Sequence, residues 1–183
     1  MRDASRRRIL KAALRLFAAR GYAGTSIRMI ASAAGISVGL LYNYFPTKAD
    51  LLGALFEQSM RDVQASFASA DSATTPAERI ERLVRSSFAI IETNRDFWRL
   101  SYGVRMQPAV VAGLGKRLQA WTTTIQSTLV RYVAEAGSSR PEIDAALLFA
   151  LIDGVSQHYV LDPRAYPLGA VADGIVALFA RLK

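Results

Sequence analysis

Helical spacing of apolar residues, punctuated by glycine and proline, is the feature that most constrains this chain. From Arg6 to Arg20, Ile9, Leu10, Ala13, Leu14, Leu16 and Phe17 recur as they would on one face of an α-helix, and Gly21 stops the run. Thr25 or Ser26 is placed to cap a second helix carrying Ile27, Ile30, Ala31 and Ala34. Gly35 ends it, because the residue after a helix often needs the left-handed conformation that only glycine adopts cheaply. Ser37 heads a third helix, Val38 to Phe45, which Pro46 breaks. Thr47-Lys48-Ala49-Asp50 then resembles a capping box with Asp in place of Glu. It opens a helix through Leu51, Leu52, Leu55, Phe56, Met60 and Val63 to about Phe67.

The stretch Ala68 to Thr74 is small, polar and weakly patterned, which predicts a boundary. After it, Thr75-Pro76-Ala77-Glu78 supplies an N-cap, a proline at the first helical position and a capping glutamate. Helices are predicted over Ala77–Thr93, Arg95–Tyr102, Pro108–Ala136, Pro141–Val160 and Leu168–Leu182. Gly137-Ser138-Ser139 and Asp162-Pro163 mark turns between them. No alternating pattern of useful length occurs, so the expectation is an all-α fold of about nine helices. Residues 1–50 form a three-helix N-terminal domain, a helix over 47–67 connects, and 68–183 form a second helical domain.

Charge is distributed unevenly between these parts. The net charge is +8, yet residues 1–48 hold nine basic side chains (Arg2, Arg6, Arg7, Arg8, Lys11, Arg15, Arg20, Arg28, Lys48) against Asp3 alone. The remainder carries fourteen of each sign, which cancel. A basic excess on a compact helical domain points to a polyanion; on a solvated tail it would mean little. Hydrophobic residues make up 51% of the chain, enough to build a core. The longest apolar run, Ala145 to Ile152, is far short of the ~20 residues that span a bilayer. With no cysteine, and an Arg-rich start lacking a signal peptide's apolar stretch, the expectation is a cytoplasmic chain without membrane contact.

The two short helices within residues 25–45 have the form of a helix-turn-helix. A helix of eight residues is ~12 Å long and fits a major groove ~12 Å wide. Its inward positions are predicted as Val38, Leu41 and Phe45, leaving Gly39, Leu40, Asn43 and Tyr44 outward. Apolar side chains there suit thymine methyls, and Asn43 suits adenine or a phosphate. Lys48 stands at the next helix's N-terminus, where backbone N–H groups and a positive charge favour phosphate. Thr25 and Ser37 offer hydroxyls as caps and phosphate donors. Two readings stay open on these grounds: a DNA-binding domain, or a small helical subdomain with buried aromatics and ordinary turns.

The segment T-S-I-R-M-I-A-S-A-A-G-I-S-V-G-L-L-Y-N-Y-F-P-T-K-A-D-L, Thr25 to Leu51, resembles the DNA-binding signature of the TetR family of repressors. Matching elements are Thr25, Ile30-Ala31, Ala34-Gly35, Ser37, Gly39, Tyr42, Tyr44-Phe45, Lys48 and Leu51. Upstream, Ile9-Leu10, Ala13, Leu16-Phe17 and Gly21-Tyr22 fit the family's first helix, so the resemblance covers residues 5–51. It implies phosphate contacts from Thr25, Ser37, Tyr42, Tyr44 and Lys48, and base or groove contacts from Arg28, Val38, Gly39, Leu40 and Asn43. It also implies a ligand-responsive repressor that binds a near-palindromic operator as a homodimer and is released by a small hydrophobic effector. An activator, or a low-specificity architectural protein, is the alternative.

Residues 141–160 and 168–182 are apolar on more than one face, which calls for burial on two sides. A second subunit supplies the other side in a symmetric dimer, as the resemblance also implies. Ligand-lining candidates are Phe88, Trp98, Tyr102, Met106, Trp121, Gln126, Phe149, Gln157 and His158, a mixture of apolar walls and a few orienting groups. His158 is the only histidine and has no metal-ligating neighbour in sequence. No nucleophile elbow, phosphate loop or dinucleotide fingerprint occurs, so neither catalysis nor a cofactor is expected.

Overall fold

The computed structural model describes residues 2–180. Among them it forms nine helices and no strand, as the apolar spacing predicts: α1 (Arg2–Arg20), α2 (Ile27–Ala34), α3 (Val38–Tyr44), α4 (Lys48–Asp71), α5 (Pro76–Thr93), α6 (Arg95–Arg105), α7 (Pro108–Glu135), α8 (Pro141–Leu161) and α9 (Leu168–Phe179). Residues 181–182 of the last predicted helix lie outside the described residues. Helix α4 runs through Asp71, so the loop predicted at Ala68–Thr74 shrinks to its last residues. Alanine is the best helix former, and Ala70 is fully buried, which holds the final turn in place.

The chain divides into two compact units. The first takes residues up to Ser59 together with Asp96–Gly115. Its core is built from Ile9, Leu10, Ala13 and Phe17 of α1, Ile30 and Ala31 of α2, Leu41 of α3, and Leu51, Leu52 and Leu55 of α4. Each large apolar side chain so buried contributes ~1.5–3 kcal/mol. From α6, Phe97 meets Phe56 edge-on at 5.1 Å between ring centroids, and Leu100 and Val104 are buried beside it.

The second unit takes Met60–Arg95 and residues from Lys116 onward. There α5 packs on α8 and α9, burying Ile80, Leu83, Val84, Phe88 and Ile91. Tyr132 of α7 is wholly buried. Its hydroxyl donates to Asp71 Oδ1 at 2.9 Å, with the Phe67 carbonyl at 3.2 Å. Burial, and then the bond to Asp71, push the phenol up to about 12. Arg79 and Arg131 flank its ring, and both pair with Glu135. These contacts tie the end of α4 to α5 and α7.

Candidate nucleic-acid interface

The turn between α2 and α3 is set by short-range hydrogen bonds. Ser26, rather than Thr25, caps α2 by accepting from Met29 N at 3.3 Å. At the other end Gly35 adopts φ +65°. Its N–H bonds the Ser32 carbonyl and the Ile36 N–H bonds the Ala31 carbonyl, the paired closure of a Schellman motif. Ser37 then caps α3 by accepting from Leu40 N at 3.1 Å. Because this cap uses an oxygen lone pair, the exposed Ser37 hydroxyl keeps its proton to donate.

On α3 the predicted faces largely hold. Leu41 and Phe45 are buried, while Gly39, Leu40, Tyr42 and Asn43 are exposed, with Tyr42 at 48%. Val38 and Tyr44 are half-buried, so neither is wholly inward or outward. Arg28 is exposed on α2. Phe45 has left the helix for extended backbone, and the Arg6 guanidinium lies 5.5 Å from its ring centroid.

Two predicted phosphate contacts are built differently. Thr25 is 1% exposed, and its hydroxyl turns inward to the Gly21 carbonyl at 2.9 Å and the Leu16 carbonyl at 3.2 Å. That side chain pins the end of α1 and does not present a donor to solvent. Lys48 Nζ donates to the carbonyls of Tyr22 at 2.9 Å and Thr25 at 3.0 Å, and sits 4.3 Å from the Tyr22 ring centroid. It clamps the α1–α2 turn to the head of α4, leaving one of its three protons for an anion. Sequence spacing does not reveal this clamp, since the acceptors are backbone carbonyls 26 and 23 residues away.

The ligand-lining candidates fall in both units. Phe88 is a core residue of α5 at 3% exposure. Met106 follows α6 and is 84% exposed, and Gln126, Gln157 and His158 also face solvent. The His158 ring stacks on Tyr166 at 6.2 Å. Trp121 and Phe149 are half-buried in the second unit. Trp98 and Tyr102 are half-buried in the first, with ring centroids 6.1 Å apart. The sequence reading passed over Arg105, whose guanidinium lies 5.2 Å from the Tyr102 centroid. Its spacing of three residues from Tyr102 and seven from Trp98 on one helix is the signal that would have found it.

Residues 9–55 match the tetR family of bacterial regulatory proteins, and the chain belongs to that family of transcriptional regulators. Within it, residues 76–182 match the C-terminal region of BetI-type transcriptional repressors. The BetI regulator of Burkholderia thailandensis is 30% identical over 166 residues, covering 85% of this chain and 81% of that protein. Other curated regulators, 33–34% identical, are matched over only 43–46% of their own length. Among solved structures, a transcriptional regulator from Saccharomonospora viridis in complex with choline superimposes with TM-score 0.76 at 25% identity, covering 99% of this chain and 97% of that one. FadR from Bacillus subtilis, in complex with stearoyl-CoA, gives 0.80 at 19% identity with 95% and 97% covered. Membership of that family makes the chain a transcriptional regulator.

Proposed function

We propose that the chain is a cytoplasmic, ligand-responsive repressor that binds a near-palindromic operator as a homodimer and is released by a small hydrophobic effector. Residues 1–50 carry DNA binding, the helix through 47–67 connects, and 68–183 carry dimerisation and effector response. The observation that supports this best is Gly39. Its backbone is ordinary helix, and a Cβ added there meets nothing within 4 Å. The fold itself does not demand a glycine at the head of α3; a smooth surface for DNA approach does. Around it, Leu40 and Asn43 suit base edges, and Ser37, Tyr42, Tyr44 and the remaining proton of Lys48 suit phosphates. Val38 and Arg28 flank that surface.

The dimer pairs α8 and α9 with their copies. Two recognition helices then meet major grooves about 34–36 Å apart. The test compares binding to the DNA upstream of the chain's own gene with binding to a scrambled duplex at fixed salt. A regulator prefers its operator by ~10³ or more; equal affinities would make it an architectural DNA binder. Transcription from that promoter in vitro should fall as the protein is added, and a rise would make it an activator.

A further inference from the structure

The DNA contacts proposed on α2, α3 and the head of α4 use two of the nine basic side chains in residues 1–48, Arg28 and Lys48. The other seven all lie on α1. The helix itself gains nothing from them. Arg7 and Lys11, Arg8 and Lys11, and Lys11 and Arg15 are like charges three or four residues apart, a spacing that destabilises a helix. Asp3, four residues before Arg7, is the only acid that can offset them. A charge pattern that the helix disfavours is accounted for by an anion from outside.

Arg6 is the member of this set that the structure fixes in place. It is half-buried, and its guanidinium lies 5.5 Å from the Phe45 ring centroid, within cation–π range. A phenyl ring orients the guanidinium without taking up its five N–H donors. Among the described residues Arg6 makes no hydrogen bond or ion pair. Phe45 closes α3, and Lys48 opens α4 three residues later, so the fork stands where the recognition helix ends. Arg7 and Arg8, next to it in the chain, are exposed.

We propose that Arg6 is a further DNA contact outside the helix-turn-helix: held by Phe45, its fork takes a backbone phosphate at the edge of the α3 footprint. This rests on the operator-binding reading above and extends its surface to α1. A guanidinium matches phosphate oxygens bidentately, and a side chain already seated on a ring loses less freedom when it binds.

Fluorescence anisotropy against salt, with the duplex from upstream of the chain's own gene, compares the parent with Arg6→Gln, Arg6→Lys and Arg15→Gln. Arg15 lies nine residues from Arg6, ~13.5 Å along the helix axis, and controls for a diffuse charge effect. Arg6→Gln should bind about tenfold more weakly and lose about one unit of salt slope. Arg6→Lys should keep the slope but only part of the affinity, since a point charge replaces the fork. Arg15→Gln should keep both. One neutral methylphosphonate in the duplex should weaken the parent at a position where Arg6→Gln is indifferent. A merely structural Arg6 would lower the melting temperature without moving the slope. The proposal is overturned by a parental slope in Arg6→Gln, by an equal loss in Arg15→Gln, or by methylphosphonate losses that parent and Arg6→Gln share at every position. The parent's preference for this duplex over a scrambled one reads the regulator assignment separately. A parent that holds its operator while Arg6→Gln keeps its slope loses only this contact.

Discussion

Gly39 is the residue at which folding and DNA recognition make separable demands. Glycine inside a helix costs about 0.5–1 kcal/mol relative to alanine, so Gly39→Ala should hold or raise the melting temperature. Operator affinity should nonetheless fall about tenfold or more, since one added methyl in a close-packed contact costs ~1–3 kcal/mol. Unchanged affinity in a gel-shift titration would remove Gly39 from the interface. Lys48 makes the opposite case, because its ammonium serves two carbonyls of the chain itself. Hydrogen bonds to a charged group are worth ~1.5–3 kcal/mol, so Lys48→Met should lower urea stability by about 2 kcal/mol. Its salt slope on DNA should fall by less than one unit, as at most one phosphate contact is lost. A variant as stable as the parent would show that Nζ leaves those carbonyls in solution. The basic character of Lys48 and the outward face of α3 were legible in the sequence. The inward turn of Thr25 was not, because its acceptors at Gly21 and Leu16 are backbone groups that no side-chain pattern displays.

At the scale of elements, local chemistry explains why most helix ends could be read and a few could not. Thr47 and Asp50 form the expected reciprocal box, Asp50 N donating to Thr47 Oγ1 at 3.0 Å and Thr47 N to Asp50 Oδ2 at 3.0 Å. At α5 the pattern is displaced by one residue. Thr75 caps Glu78 N as predicted, but the Glu78 carboxylate accepts from the hydroxyl and N–H of Thr74, which with Arg82 hold it down at about 2. A carboxylate depressed in the folded state stabilises above its ordinary 4.5, and that contribution fades as pH falls toward 2. Glu78→Gln should therefore flatten the fall of unfolding free energy over that window, measured by urea melts at stepped pH. An identical slope would show that the Thr74 bonds do not form in solution. The α4 terminus escaped prediction for the complementary reason: Ala68-Ser69-Ala70 carries no periodic signal, and the turn is held by Tyr132 and Arg131 grasping Asp71 from α7. Because α8 is apolar nearly all round, composition alone does not say which of its faces meets the core.

For the molecule as a whole, the structure supplies that missing face. The core side of α8 is set by Leu148, Val155 and Val160, all buried. Opposite them, Ile143, Leu147, Ala150, Gly154, His158 and Leu161 share one stripe, with Ile143 at 53%, Leu147 at 49% and Leu161 at 74% exposure. On α9 the buried residues are Leu168, Ala172, Ile175 and Phe179, and the outer side shows Ala170, Gly174, Ala177 and a 63% exposed Leu178. Small residues among exposed leucines would let a second helix pair approach closely, which supports the subunit contact proposed for α8 and α9. A twofold axis makes such a patch self-complementary and counts every substitution twice. Burying one leucine contributes ~1.5–3 kcal/mol, so Leu147→Glu should remove ~3–6 kcal/mol from the dimer. That weakens association more than a hundredfold. Sedimentation at micromolar concentration should then show monomers whose far-ultraviolet circular dichroism keeps the helical content of the parent. Operator binding should become weak and concentration-dependent, because one recognition helix can no longer bring its partner to the second half-site. A variant that remains dimeric and holds its operator with parental affinity would place the subunit contact elsewhere on the second unit.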